Sequence, residues 1–304
     1  MQIVIVLIGI SFVTFLLTYL SPGDPVRNMF SATGVMPTEE LVQQTRDEMG
    51  LNDPVLIQYG RWLGNVLHGD LGESSKFGES VWTQMTRKLP MTLKLAGVSL
   101  VAVILISFPL GVLSAVKKNK TADYIIRFLS FFGVSMPNFW LALLLMYIFA
   151  VRLGWFKVVS TDSIGGMILP VATLTIPMIS SYARQIRAAL LEELNANYVI
   201  GARARGIPER RIIWGHVLPN AILPIITLLG LSVGHLLGGA AIIETIFSWQ
   251  GIGNMVVEAI RVRDYPLIQG YVIWMAIIYV TVNLIVDISY RCLDPQIRLR
   301  KRVD

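Results

Sequence analysis

A chain of 304 residues with 54% apolar and 15% charged side chains, and a mean hydropathy of +0.61, is poorer in charge than a soluble domain, which carries roughly 25% charged residues. Too little polar surface remains to cover such a core in water, which points to a polytopic membrane protein. A single cysteine, Cys292, excludes an internal disulfide framework and a cysteine metal cluster.

Six apolar stretches, each long enough for one helical span of roughly 20 residues, predict an all-α fold with six transmembrane helices. The first, Ile3 to Leu20, is uncharged and ends at Ser21-Pro22-Gly23-Asp24-Pro25. It lacks the basic n-region and Ala-x-Ala site of a cleaved signal peptide, so it reads as a retained span. Residues 21–94 then read as a small extracytoplasmic helical insert. Thr38 is placed to cap a helix with Glu39 and Glu40 in its first turn and a stop at Gly50; a second helix starts near Pro54 and ends before His68-Gly69-Asp70. The remaining stretches, 95–116, 128–151, 164–183, 217–243 and 267–290, lie in a core over 95–304. Kinks or breaks are expected at Pro109, Pro170, Pro177 and Pro224.

Charge sets the predicted orientation. Segments 117–127, 184–216 and 291–304 hold 15 basic and six acidic residues, whereas the opposite set holds 10 basic and 13 acidic. The positive-inside rule makes the first set cytoplasmic, with both termini inside. The net charge of +6 is therefore a topology signal and no footprint for nucleic acid.

The most informative stretch is the loop 191–216 between spans four and five. It contains Tyr198-Val199-Ile200-Gly201-Ala202-Arg203-Ala204-Arg205-Gly206-Ile207-Pro208-Glu209 and leads to His216-Val217-Leu218-Pro219-Asn220. Gly201, Ala202 and Ala204 permit close approach of another backbone, Arg203 and Arg205 add charge, and Gly206 suits a left-handed helix end. The pattern describes a short helix docking into a groove on a cytosolic partner. Composition alone favours an ordinary basic cytoplasmic loop.

Tyr198, Val199, Ala202, Arg203, Ala204 and Gly206, followed by His216, Leu218, Asn220, Ala221 and Pro224, resemble the EAA loop of ABC-type import permeases in the peptide and nickel branch. Arg205 stands where that branch usually has Lys, and charge is kept. The likeness extends to Ser21–Pro25, Gly133–Trp140, Ile243-Glu244, Trp249–Gly253, Arg263–Pro266 and Asp294-Pro295. The insert is similar to that of the "B" permease of a two-permease pair. The resemblance implies a type I ABC importer permease fold in the cytoplasmic membrane of a prokaryote. It further implies a homologous second permease in a heterodimer, two cytosolic ABC ATPases and an extracytoplasmic substrate-binding protein. Tyr198, Gly201, Ala202, Arg203, Ala204, Arg205, Gly206 and Glu209 would couple to the ATPase, and the cargo would be nickel, free or chelated, or di- and oligopeptides. The wording of Val134–Trp140 leans toward nickel.

No catalytic residues and no cofactor are indicated. The chain has no Gly-x-x-x-x-Gly-Lys-Ser/Thr phosphate loop, so energy must come from separate ATPases. Met136, Asn138 and His235 are candidates for lining the pathway, although His235 better suits a bond to a backbone carbonyl within the bundle. Asp287 is spaced to pair with Arg291, and three scattered histidines predict no metal site. The alternative function is an ion-coupled secondary transporter, which needs intramembrane acids or repeat-related broken helices.

Overall fold

The structure, a computed structural model, describes residues 2–32 and 36–293. Helices dominate, and no strand occurs among the described residues. In chain order they are α1 (Gln2–Leu20), α2 (Pro25–Ala32), α3 (Glu39–Glu48), α4 (Val55–Leu67), α5 (Val81–Val116), α6 (Thr121–Ser135) and α7 (Asn138–Leu145). There follow α8 (Ile164–Leu194), α9 (Asn197–Ala204), α10 (Glu209–Ile212), α11 (Leu218–Ile246), α12 (Ile252–Val262) and α13 (Tyr265–Leu293). Two π-helical segments, Met146–Arg152 and Ile213–Val217, extend α7 and open α11.

Every apolar stretch read from the sequence falls on a helix, but not always on one straight helix. α5, α8 and α13 carry stretches long and apolar enough to cross a membrane. The third stretch is divided instead: α6 and α7 meet at an angle of 104° across Met136-Pro137. Of the kinks or breaks expected at Pro109, Pro170, Pro177 and Pro224, no break occurs, because α5, α8 and α11 run through all four positions. The break sits at Pro137, where Met136 is extended (φ −87°, ψ 127°), the conformation favoured before proline.

The chain divides into two compact units. One comprises residues up to Thr92 and Gln250–Val280. In it Thr38 caps α3 by accepting from the Leu41 amide, Gly50 follows at φ +65°, and α4 starts after Pro54, as the spacing predicts. α2 was not foreseen, and α5 begins at Val81, earlier than the apolar stretch at 95, because its first turns are polar. Phe12 and Phe15 of α1 stack with Tyr59 and Trp62 of α4. Ile252, Met255, Val256 and Ala259 follow the i, i+3, i+4, i+7 spacing, which makes one buried stripe along α12.

 Ala259 closes that stripe, fully buried. Gly251 therefore caps a helix and Gly253 lies inside it. The Arg263–Pro266 motif also gains a physical role. Arg263 ends α12 in the left-handed region (φ 58°), and Asp264 caps α13 while accepting from Ser74 Oγ at 2.5 Å and the Lys76 amide at 3.0 Å.

The other unit comprises Leu93–Trp249 and the chain from Thr281. α8 is its central helix. Its buried residues recur from Met167 to Leu190, and two neighbours reach it through glycines. A Cβ on Gly111 of α5 would lie 2.6 Å from Ile186, and one on Gly133 of α6 would lie 2.1 Å from Ser180 Oγ. Small residues at such crossings let membrane helices approach closely and gain dispersion contact.

Candidate functional site

The loop after α8 is built around two helices, where the sequence suggested one short helix within 191–216. α9 stops at Ala204, Arg205 caps it, and Gly206 takes φ +73°. The Gly206 amide donates to the Arg203 carbonyl at 2.9 Å, and the Ile207 amide donates to the Ala202 carbonyl at 3.2 Å. This is the paired closure of a Schellman motif, and it explains why glycine stands at 206. Pro208 then precedes α10, so the chain turns instead of continuing the first helix.

α9 has two unlike faces. Val199 and Ala202 are buried, and they join a cluster with Tyr182, Ile186 and Leu190 of α8, Ile212 of α10 and Val217. Ala202 thus lets α9 approach the protein's own core. Tyr198, Ile200, Gly201, Arg203, Ala204 and Arg205 are exposed on the outer side. A Cβ at Gly201 or Gly206 would meet nothing within 4 Å, so both face open space.

Polar contacts fix the rim of this surface. Arg203 Nε donates to Glu209 Oε1 at 2.6 Å, tying α9 to α10. The Tyr198 hydroxyl donates to Glu193 Oε2 at 2.6 Å, and Asn220 bonds the same hydroxyl. Partial burial, aided by the Glu193 carboxylate, raises the Tyr198 hydroxyl above its ordinary range, so it remains a neutral donor. A cavity of about 360 Å³ opens beside the turn, lined by Lys118, Leu191, Leu194, Arg203 and Glu209 among others.

Two residues counted in the sequence only as loop charge prove structural. Asp123, fully buried at the start of α6, accepts from Ser114 Oγ at 2.5 Å and the Asn119 amide at 2.9 Å. Arg187 of α8 grips the same carboxylate, so one side chain links α5, the turn after it, α6 and α8. The sequence signal was available: an acid in the first turn of an apolar helix, with arginines on a neighbouring span.

The proposed pathway residues separate. Met136 and Asn138 flank Pro137 at the break between α6 and α7, with Asn138 exposed. The side chains of His235 and Asp287 lie outside the described residues. The break leaves the last carbonyls of α6 and the first amides of α7 without helical partners, apart from the Leu141 amide, which donates to the Pro137 carbonyl at 3.0 Å.

Comparison with known proteins agrees with this architecture. The family described as binding-protein-dependent transport system inner membrane component matches residues 107–299, and its N-terminal membrane component matches residues 1–96. The oligopeptide transport system permease protein AppB of Bacillus subtilis is 38% identical, with 96% of this chain and 95% of that protein covered. The dipeptide transport system permease protein DppB of Alkalihalophilus pseudofirmus is 37% identical, with 96% of each covered. The nickel import system permease protein NikB of Staphylococcus aureus is also 37% identical, over 99% of this chain and 90% of that one. An inward-facing structure of the MetNI methionine ABC transporter matches with a TM-score of 0.56 at 19% identity, over 70% of this chain and 97% of that chain. That likeness is one of fold, the type I ABC importer permease fold.

Proposed function

We propose that this chain, which belongs to the family of binding-protein-dependent transport system inner membrane components, is a membrane-spanning permease subunit of an ATP-driven importer. It pairs with a homologous permease, takes energy from two cytosolic ATPases and receives cargo from an extracytoplasmic binding protein. Both termini lie in the cytoplasm, and residues 21–94 form the external insert, with 95–304 as the permease core and 191–216 as its coupling loop. The cargo is nickel, free or chelated, or a di- or oligopeptide. Peptide and nickel relatives are equally similar, so identity does not choose between them.

One observation carries the coupling role: the inner face of α9 is packed into the core while its outer face is free. Val199 and Ala202 seat α9 against α8, and the exposed Gly201, Ala204 and Arg205 offer a low, basic surface to the ATPase. Closure of the ATPases would push α9, and the shared cluster would pass that push to α8. The Arg203–Glu209 pair and the Gly206 turn tie α9 to α10, so that the two would move together. Further along, Met136 and Asn138 line the pathway, since non-helical backbone at membrane depth is tolerated where it is buried in protein or lines a water-filled cavity.

The test is to purify the chain from membranes with its bound partners and reconstitute the complex in vesicles. Co-purification of an ATPase and uptake that requires ATP are expected. Uptake driven by an ion gradient, by the chain without an ATPase, would establish the secondary-transporter alternative instead.

A further inference from the structure

α6 uses one face on its neighbours and leaves another open. Asp123, Ile126, Ser130 and Gly133 are buried, whereas Tyr124, Phe128 and Phe131 are 57%, 62% and 65% exposed. Beside this open face lies a cavity of about 810 Å³. Its walls include those three aromatic rings and three guanidinium groups, from Arg127, Arg184 and Arg187.

The charges do not balance. Arg187 is satisfied by Asp123, but among the described residues no carboxylate forms an ion pair with Arg127 or Arg184. Arg127 only rests near the Tyr124 ring, 5.8 Å from its centroid. α6 and α8 run antiparallel, because Asp123 meets Arg187 while Gly133 faces Ser180. Arg127 follows Asp123 by one turn, and Arg184 precedes Arg187 by nearly one. Both unpaired cations are therefore displaced from the ion pair by roughly 4.5–6 Å along the helix axes, in the same direction.

Two uncompensated arginines beside an aromatic wall, on a membrane protein, call for an anion with apolar attachments. A free phosphate would satisfy the guanidiniums and leave the rings exposed. A phospholipid would satisfy both. We propose that the α6–α8 cavity is a binding site for an anionic phospholipid, its phosphate held by Arg127 and Arg184 and its acyl chains lying along Phe128 and Phe131. Arginine forks match phosphate oxygens, and basic pockets between membrane helices on the cytoplasmic side accept such head groups. The placement in the cytoplasmic leaflet rests on the topology proposed above.

The experiment is native mass spectrometry of the complex purified from membranes, delipidated and titrated with phosphatidylglycerol or phosphatidylcholine. Phosphatidylglycerol should be retained preferentially, and R127Q/R184Q should weaken that retention about thirtyfold, two charges being removed. R127K/R184K keeps the charge and should recover most of it, while K117Q/K118Q, outside the cavity lining, should change it little. Equal retention of the two lipids, or retention unchanged in R127Q/R184Q, overturns the proposal. So does loss of a partner chain from R127Q/R184Q with lipid retention intact, which would make this face a protein interface. Retention is read from mass without transport, so its failure leaves the importer reading standing, and a failure of ATP-driven uptake leaves the lipid result standing.

Discussion

Arg187 of α8 holds both carboxylate oxygens of Asp123 on α6, Nε to Oδ1 at 2.7 Å and Nη2 to Oδ2 at 2.8 Å. The pair sits where α5, α6 and α8 converge, in the same unit as the cluster that seats α9. A two-pronged contact of this kind fixes orientation as well as distance. It gives α8 a rigid neighbour against which a push from α9 can act.

Removing one partner strands the other. Asp123→Ala should lower stability by about 3 kcal/mol, the order found when a buried ion pair loses one member. Thermal unfolding of the detergent-solubilised protein measures this. Asp123→Ala/Arg187→Leu should lose less than the two single variants combined, because neither charge is then left unpaired. Simple additivity would mean that the pair contributes little.

Gly201 separates docking from folding. Its added side chain would enter open space on the outer face of α9, so Gly201→Leu should leave the melting temperature almost unchanged. The same substitution should abolish ATPase co-purification, or reduce it at least tenfold, if that face meets the motor. Gly206 behaves differently, since its φ of +73° strains any β-branched residue. Gly206→Val should cost about 1 kcal/mol or more in stability and impair transport, whereas Gly206→Asn, which tolerates the left-handed region, should retain most activity.

Much of this was legible because local physics dominated it. Thr38 ahead of two glutamates announced α3, and Gly206 ahead of Pro208 announced the end of α9. The helical membrane fold followed from apolar length, and the family from a resemblance in spacing. What stayed hidden depended on packing between distant segments. Nothing local distinguishes Pro137, which breaks its span, from Pro170 and Pro177, which α8 absorbs within a well-packed interior. Asp123 looked like one more loop charge because its partners lie in other elements, Ser114 and Arg187. Ala202 looked like part of the docking surface because spacing does not reveal which face of a short helix is turned inward.

The single cysteine makes the helix break open to a direct probe. In a Cys292→Ser background, Asn138→Cys should react with a water-soluble maleimide added to the reconstituted complex, and bound cargo should slow the reaction. Leu129→Cys, 61% exposed on the apolar face of α6, should react far more slowly because lipid or another apolar surface covers it. Equal rates at the two positions would remove Met136 and Asn138 from the pathway.

The crossing of α6 on α8 supplies the sharpest test of the packing itself. A Cβ at Gly133 would lie 2.1 Å from Ser180 Oγ and 2.9 Å from Ser180 Cβ, distances that force movement. Rotating the serine hydroxyl relieves the first clash but leaves the second, so the helices must separate. Gly133→Ala should therefore destabilise by about 1–3 kcal/mol, the usual range for overpacking. The next neighbour, the Ile176 carbonyl, is 3.4 Å away, which is ordinary contact. Exchanging the two side chains thus removes the obstruction: Gly133→Ala/Ser180→Gly should regain most of the loss, less the helix cost of the new glycine, about 1 kcal/mol. Thermal unfolding of the two single variants and the double one decides the matter. If the double variant is no more stable than Gly133→Ala alone, α6 does not approach α8 through Gly133, and the antiparallel register that also aligns Arg127 with Arg184 loses one of its two anchors.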